Sequence, residues 1–236
     1  MKLFFKKINT LLKYSGFFQN KFANPKYHFK PNFLSTHSKA FEYIKNNSTV
    51  LDIGCNNGRF LEFLKKKKNC KVYGIDKKYK NKKILKFDLD LGLPNINYKK
   101  YDYIVMLDVI EHLNKPEEFL NNLVKKIKSN KKVKVIFSTP NVAFFPIRLS
   151  LLFGNFNYAS KGILDFTHKR LFTFFSFKSL LIDSNFKIIK NFGIPAPFPA
   201  VLGEGLFSNT LLKINYYLIK ISKKLFSFQM IFIVKI

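Results

Sequence analysis

Short apolar runs alternate with amphipathic stretches along most of the chain. Val50 to Ile53, Lys71 to Ile75, Lys83 to Phe87, Tyr101 to Leu107 and Lys132 to Ser138 each have the length and β-branched or aromatic content of a strand. Between them, Arg59 to Lys66 and Pro116 to Lys128 carry helical spacing. In the second, Pro116 and the following Glu117 and Glu118 signal a helix start, and Phe119, Leu120, Leu123, Val124 and Ile127 supply one apolar face. A further helix is expected around Ser38 to Lys45. Strands alternating with helices imply right-handed βαβ units in a parallel sheet. The rhythm breaks from Asn141 to about Thr173, a long aromatic and Gly-containing stretch whose length marks it as functional. It resumes with a helix over Ser176 to Ser184 and a strand over Phe186 to Lys190. Gly193 to Pro199 reads as a Pro-rich turn, and Leu211, Ile214, Leu218, Ile221 and Leu225 as the stripe of a basic helix. Gln229 to Ile236 is expected to be a last strand, antiparallel, at or near the sheet edge. The N-terminal 30 or so residues read as a basic amphipathic helix, with Phe4, Ile8, Leu11 and Leu12 on one stripe, and a connector through Pro25 and Pro31.

The chain of 236 residues suits one domain. The expected division is an extension over 1–34 and a catalytic domain over 35–236, in which 141–173 forms an acceptor-site loop or lid. A net charge of +28 would ordinarily suggest a polyanionic partner. The excess is almost all Lys, however, and Arg stands only at positions 59, 148 and 170. Phosphate and base recognition favours the planar fork of Arg, which argues against nucleic acid as the partner. Two cysteines, Cys55 and Cys70, form no C-x-x-C pair and support neither a disulfide framework nor a thiolate zinc site. Lys interrupts every apolar run before membrane-spanning length, so the expected location is cytoplasmic, with peripheral membrane contact through the basic amphipathic helices as an extension of that reading.

The sharpest motif is Val50-Leu51-Asp52-Ile53-Gly54-Cys55-Asn56-Asn57-Gly58-Arg59-Phe60, a strand running through a small-residue turn into a helix. Gly54 and Gly58 let the backbone approach a ligand and aim amide groups at it. A nicotinamide fingerprint would require glycines where Asn56 and Arg59 stand. The segment instead resembles the first motif of class I S-adenosylmethionine-dependent methyltransferases, with Asn56 in place of the usual middle glycine. Three more segments follow in the family's order. Val72 to Asp76 is a strand ending in a carboxylate, Phe87-Asp88-Leu89-Asp90 follows the third strand, and Tyr101 to Leu113 resembles the fourth strand with the turn Glu111-His112-Leu113. The resemblance covers roughly Ser38 to Lys190. It implies a Rossmann-like α/β fold, with a mainly parallel seven-stranded sheet, an antiparallel last strand and helices on both faces. It also implies S-adenosylmethionine as cofactor, bound by Asp52 at the methionyl amino group, by Gly54, Cys55 and Gly58 in the loop, by Asp76 at the ribose, by Asp88 and Leu89 at the adenine, and by Asp108.

For the acceptor, Asp165-Phe166-Thr167-His168-Lys169-Arg170-Leu171-Phe172-Thr173 resembles a stretch of methyltransferases from polysaccharide gene clusters. In that reading His168 is a general base, Asp165 orients it, Arg170 anchors an anionic group, and His112 lines the same site. Asn141, at the end of the fifth strand, is a further acceptor contact. The alternative for Asp165, His168 and Arg170 is a loop held together by their hydrogen bonds. Asp108, Glu111, His112 and His168 also resemble the divalent-metal set of ubiquinone-biosynthesis O-methyltransferases and small-RNA 2′-O-methyltransferases.

The function implied is O-methylation of a saccharide, a lipid-linked intermediate or another small metabolite. Two alternatives stand beside it: an RNA 2′-O-methyltransferase, suggested by the charge and the metal-type set, and a non-catalytic partner protein of the MetW kind, which Asp88 to Leu93 and Phe137 to Gly154 resemble.

Overall fold

The computed structural model describes residues 34–130 and 132–236. The expected N-terminal helix, and all of the extension but Leu34, lie outside them. Strands β1 (Thr49–Ile53), β2 (Lys71–Asp76), β3 (Ile84–Lys86), β4 (Tyr103–Leu107), β5 (Lys134–Pro140), β6 (Lys187–Ile194) and β7 (Gln229–Lys235) form one sheet in the order β3-β2-β1-β4-β5-β7-β6. The pairs β3-β2, β2-β1, β1-β4 and β4-β5 are parallel. Strand β7 slots antiparallel between β5 and β6, one position in from the edge.

Alternation along the strands builds two cores, one on each face. Leu51, Ile53, Ile104, Met106, Val135 and Phe137 point to one side, while Val50, Val105, Ile136, Ile231 and Ile233 point to the other. The first side is covered by α3 (Pro116–Ile127) and α5 (Phe174–Asp183), the second by α1 (Thr36–Tyr43) and α2 (Arg59–Lys68). On α3, Phe119, Leu120, Leu123 and Ile127 are buried, as their spacing predicts, at about 1.5–3 kcal/mol each. Hydroxyl caps start α1 and α5: Ser35 with Ser38, and Thr173 with Ser176, each satisfy two backbone donors reciprocally.

Two expectations need correcting, and a third element is placed as expected but faces outward. The 141–173 stretch is not all loop: Phe145–Leu152 forms helix α4, with Pro146 in its first turn. The Pro-rich region is not all turn either. Gly193 and Ile194 extend β6, and Phe198–Leu202 forms the short helix α6. Helix α7 (Leu206–Ile221), followed by the single turn α8 (Lys223–Phe226), occupies the expected basic helix, but its apolar stripe does not face the core. Its buried residues are Ser208, Asn215 and Ile219, while Ile214 and Ile221 are exposed. A third, smaller core of Phe144, Ile147, Ile163, Leu164, Ala196 and Phe228 ties α4 and the following loop to the chain beyond β6.

Candidate cofactor and acceptor site

The loop after β1 is built from left-handed backbone. Gly54 and Gly58 both have φ +81°, and Asn56 stands at φ +50°, a conformation Asn tolerates better than most residues. A Cβ on Gly54 would lie 2.3 Å from Val109 Cγ2, so the loop is pressed against the end of β4. Helix α2 begins at Gly58 with no side-chain cap. Its first-turn amides, in a loop made to approach a ligand, are suited to an anionic group.

Three carboxylates gather along this edge. Asp76, at the end of β2, accepts from Asn56 N at 2.8 Å through one oxygen and from Lys78 N and Tyr79 N at 2.8 and 3.2 Å through the other. It therefore shapes the glycine loop as well as presenting a carboxylate. Asp52 is buried on β1, and burial, reinforced by the negative charge of Asp76, pushes its carboxyl up to about 7. Asp88 caps a 3-10 turn over Leu89–Leu91 and pairs with Lys77 at 2.7 Å, which holds its carboxyl below the ordinary range. Leu89, partly buried, packs against the main core. Cys55 is buried with its sulfur against Gly74, and burial raises its thiol far above neutrality, which makes it a packing group rather than a nucleophile.

The chain leaves β4 through Asp108, a non-glycine residue at φ +56°. Such strain persists only where the surroundings impose it. Here Ser138 Oγ donates to Asp108 Oδ1 at 2.7 Å, Gln229 Nε2 donates to Oδ2 at 2.7 Å, and the Asp108 amide donates back to Ser138. Asp108 therefore fixes the turn and stands outside the metal-type set expected of it.

The next turn, Ile110–His112, carries two of the residues expected at the acceptor side. The carbonyl of Glu111 accepts from the amides of Lys169 and Arg170 at 2.9 and 3.1 Å, which docks the later loop on this turn. Two imidazoles meet as a result, with ring centroids 4.8 Å apart. His112 Nδ1 faces Thr167 O at 3.0 Å and His168 Nδ1 faces Ile163 O at 2.8 Å. A carbonyl can only accept, so each Nδ1 carries a proton, and in the neutral form of either ring the lone pair lies on Nε2. Burial, with the neighbouring His112, lowers the pKa of His168 and favours that neutral form. Glu111 is buried beside them, and neither of its carboxylate oxygens has a hydrogen-bond partner. Burial first, then the charge of Asp108, raises its pKa well above the carboxylate range. The Thr139 hydroxyl is near enough to oppose that rise but is not aligned as a hydrogen-bond partner. One ligand atom from each of Glu111, His112 and His168 falls within 4.8 Å of the others.

Three residues expected at the acceptor side have structural partners. Asp165 does not hold the His168 ring: its Oδ1 accepts from Thr167 N and Oγ1 at 2.8 and 2.7 Å, and the Ile163 carbonyl orients the imidazole. Arg170 forms a two-pronged pair with Glu117 at 2.7 and 3.3 Å, at the start of α3. Asn141 is wholly buried, and its amide donates to Lys224 O and Ser227 O at 3.1 and 2.9 Å. Sequence reasoning missed Ser138 and Gln229, and also the link from Asp90 to Asn114 N and Lys169 Nζ, both at 3.0 Å. No local motif marks these partners.

Comparison with known proteins agrees with this fold. A sequence model of the methyltransferase domain family matches residues 27–191. A probable (S)-tetrahydroprotoberberine N-methyltransferase 2 from Papaver bracteatum is 36% identical over 93 residues, which span 34% of this chain and 26% of that relative. The fold is similar to a SAM-dependent methyltransferase from Archaeoglobus fulgidus, with TM-score 0.54, 22% identity, and coverage of 84% of this chain and 90% of that one. A SAM-dependent methyltransferase from Aquifex aeolicus gives TM-score 0.53 at 15% identity, with 85% and 89% covered. With the glycine loop after β1, the carboxylate ending β2 and the antiparallel β7 all in place, the chain belongs to the methyltransferase domain family and is a class I S-adenosylmethionine-dependent methyltransferase.

Proposed function

We propose that the enzyme methylates a hydroxyl of a small-molecule, saccharide or lipid-linked acceptor held over the Glu111, His112 and His168 cluster. The observation that carries this reading is the fixed tautomer of His168, whose bond to Ile163 O leaves Nε2 as a neutral base. In an in-line transfer, an electron pair of the acceptor oxygen forms the bond to the methyl carbon as the carbon–sulfur bond breaks, its pair staying on sulfur. The acceptor proton passes to His168 Nε2, leaving S-adenosylhomocysteine and the methyl ether. In this reading Asp52 meets the methionyl ammonium, Asp76 the ribose and Asp88 the adenine.

A second reading of the same cluster has a specific support. The two unpartnered oxygens of buried Glu111, beside two imidazoles whose Nδ1–H groups are already spent on carbonyls, fit the donor set of a divalent ion. Glu111, His112 and His168 would hold it, and the ion would polarise the acceptor hydroxyl. The partial likeness to an N-methyltransferase makes an amine the alternative acceptor class.

Methyl-labelled S-adenosylmethionine offered to saccharides, polyprenyl-linked sugars, amines and short RNA, with and without chelator, tests these readings together. Label on a hydroxyl acceptor, lost in His168→Asn and indifferent to chelator, is the expected result. Label lost on chelation and restored by Mg2+ or Mn2+ selects the metal reading, and label on an amine or RNA alone refutes the hydroxyl assignment.

A further inference from the structure

Helix α7 is packed inside out. The side chains it buries include Ser208, whose hydroxyl donates to Gly203 O, and Asn215, which accepts from Ala196 N at 2.9 Å and donates to Phe226 O at 2.8 Å. Outward it shows Leu206, Tyr217 and Ile221, which are 87%, 63% and 78% exposed. Helix α4 does the same at its C-terminal end, where Leu152 and Phe153 are 77% and 68% exposed. Both helices rest on the segment that leads into β7: the ring of Phe145 on α4 packs on Phe226, to which Asn215 of α7 also bonds. From the end of α4, the rings of Phe156, Tyr158 and Phe166 form a chain of contacts that ends two residues before His168. Large apolar side chains left exposed on two helices in this way are suited to an interaction site.

The charge around it points to one occupant. The sequence holds no acidic residue between Phe119 and Leu164, and after Asp183 it holds seven lysines against the single acid Glu204. On α7 the Lys220 ammonium lies 4.9 and 5.1 Å from the ring centres of Tyr216 and Tyr217. Beside the helix, against β6 and α1, a cleft of about 610 Å³ is lined by Lys213, Tyr216, Lys220 and Lys223, together with Glu42, whose carboxylate pairs with Lys39. Large aliphatic groups flanked by Tyr and Lys, with almost no acid, make a surface suited to the interface of an anionic bilayer. No described helix is long and apolar enough to cross a membrane.

We propose that the exposed faces of α4 and α7 seat this enzyme on an anionic membrane surface, with the aromatic path from α4 leading towards His168. The proposal is independent of the acceptor chemistry above, because binding is measured without turnover.

The test is flotation of the full chain with phosphatidylcholine vesicles, with and without phosphatidylglycerol, at low and high salt. A protein this basic will be drawn to anionic vesicles by charge alone, so the deciding variants leave the charge unchanged: Leu152→Ser/Phe153→Ser on α4 and, separately, Leu206→Ser/Ile221→Ser on α7. All four positions are exposed, and the two pairs are independent should one fail to fold. The expected result is binding to anionic vesicles that partly survives high salt, drops at least about tenfold in each Ser pair, and changes less than about twofold in Lys65→Ala/Lys66→Ala on the distant helix α2. Binding by the Ser pairs equal to wild type, or no binding by wild type, overturns the proposal. So does a dimer in sedimentation that the Ser pairs convert to monomer, which would show that a second copy covers this surface.

Discussion

Asp52 offers a quantitative prediction, because its carboxyl titrates at about 7 instead of the ordinary 3.8. The folded pKa is raised, so this group favours the folded state at low pH and loses that contribution as pH rises from about 4 to about 7. Three units correspond to about 4 kcal/mol in the ligand-free protein. A methionyl ammonium placed against the carboxylate supplies the missing partner and draws the proton off. If binding requires ionised Asp52, the apparent Kd scales as one plus the ratio of protonated to ionised carboxyl, and affinity falls roughly eightfold between about pH 7.5 and about pH 6. Calorimetric titration with S-adenosylmethionine in buffers of different ionisation enthalpy reads both quantities: the affinity change and a release of about half a proton near pH 7. Asp52→Asn should bind more weakly and lose the pH dependence. Affinity flat between about pH 6 and 7.5 with no proton release would refute the pairing of Asp52 with the ligand amine.

Other residues give sharper yes-or-no outcomes. Gly54→Ala puts a methyl group 2.3 Å from Val109 Cγ2 at φ +81°, so cofactor binding should be lost and the melting temperature lowered. Asn141→Ala leaves two carbonyls without their donor in a buried setting, and urea unfolding should show a loss of about 2–4 kcal/mol with the cofactor site intact in the folded fraction. Glu111→Gln removes a carboxyl whose ionisation burial opposes. As the wild-type group loses stability with rising pH, the variant should be the more stable of the two at alkaline pH, while methyl transfer or Mn2+ binding is reduced.

The half of the fold that carries the glycine loop and the strand-end carboxylates was legible because its signals are local. Strand, glycine loop and helix adjoin in sequence from Val50 to Phe60, and each carboxylate lies near or just beyond the end of its own strand, so period and spacing carry the information. Asn56 behaves as its side chain allows and occupies the left-handed region in place of glycine. The turn and loop that carry Glu111, His112 and His168 were less legible because their geometry is tertiary. Asp108 is held by Gln229, 121 positions away, and His168 by a backbone carbonyl that no motif records. Asp165 and Arg170 look catalytic by residue type, yet the turn at Thr167 and the start of α3 claim them first. In α7 the helical period was right, but which face lies inward is set by tertiary contacts: the hydrogen-bonding needs of Ala196 N and Phe226 O draw Asn215 inward and turn Ile214 and Ile221 out.

The central claim, that S-adenosylmethionine sits across the glycine loop and the carboxylate ending β2, is tested most directly by calorimetric titration of the wild type and Asp76→Ala. The account predicts micromolar binding of S-adenosylmethionine and S-adenosylhomocysteine by the wild type and loss of both in the variant, with the circular dichroism spectrum unchanged. Equal affinity in Asp76→Ala, or no binding by folded wild type, would contradict it.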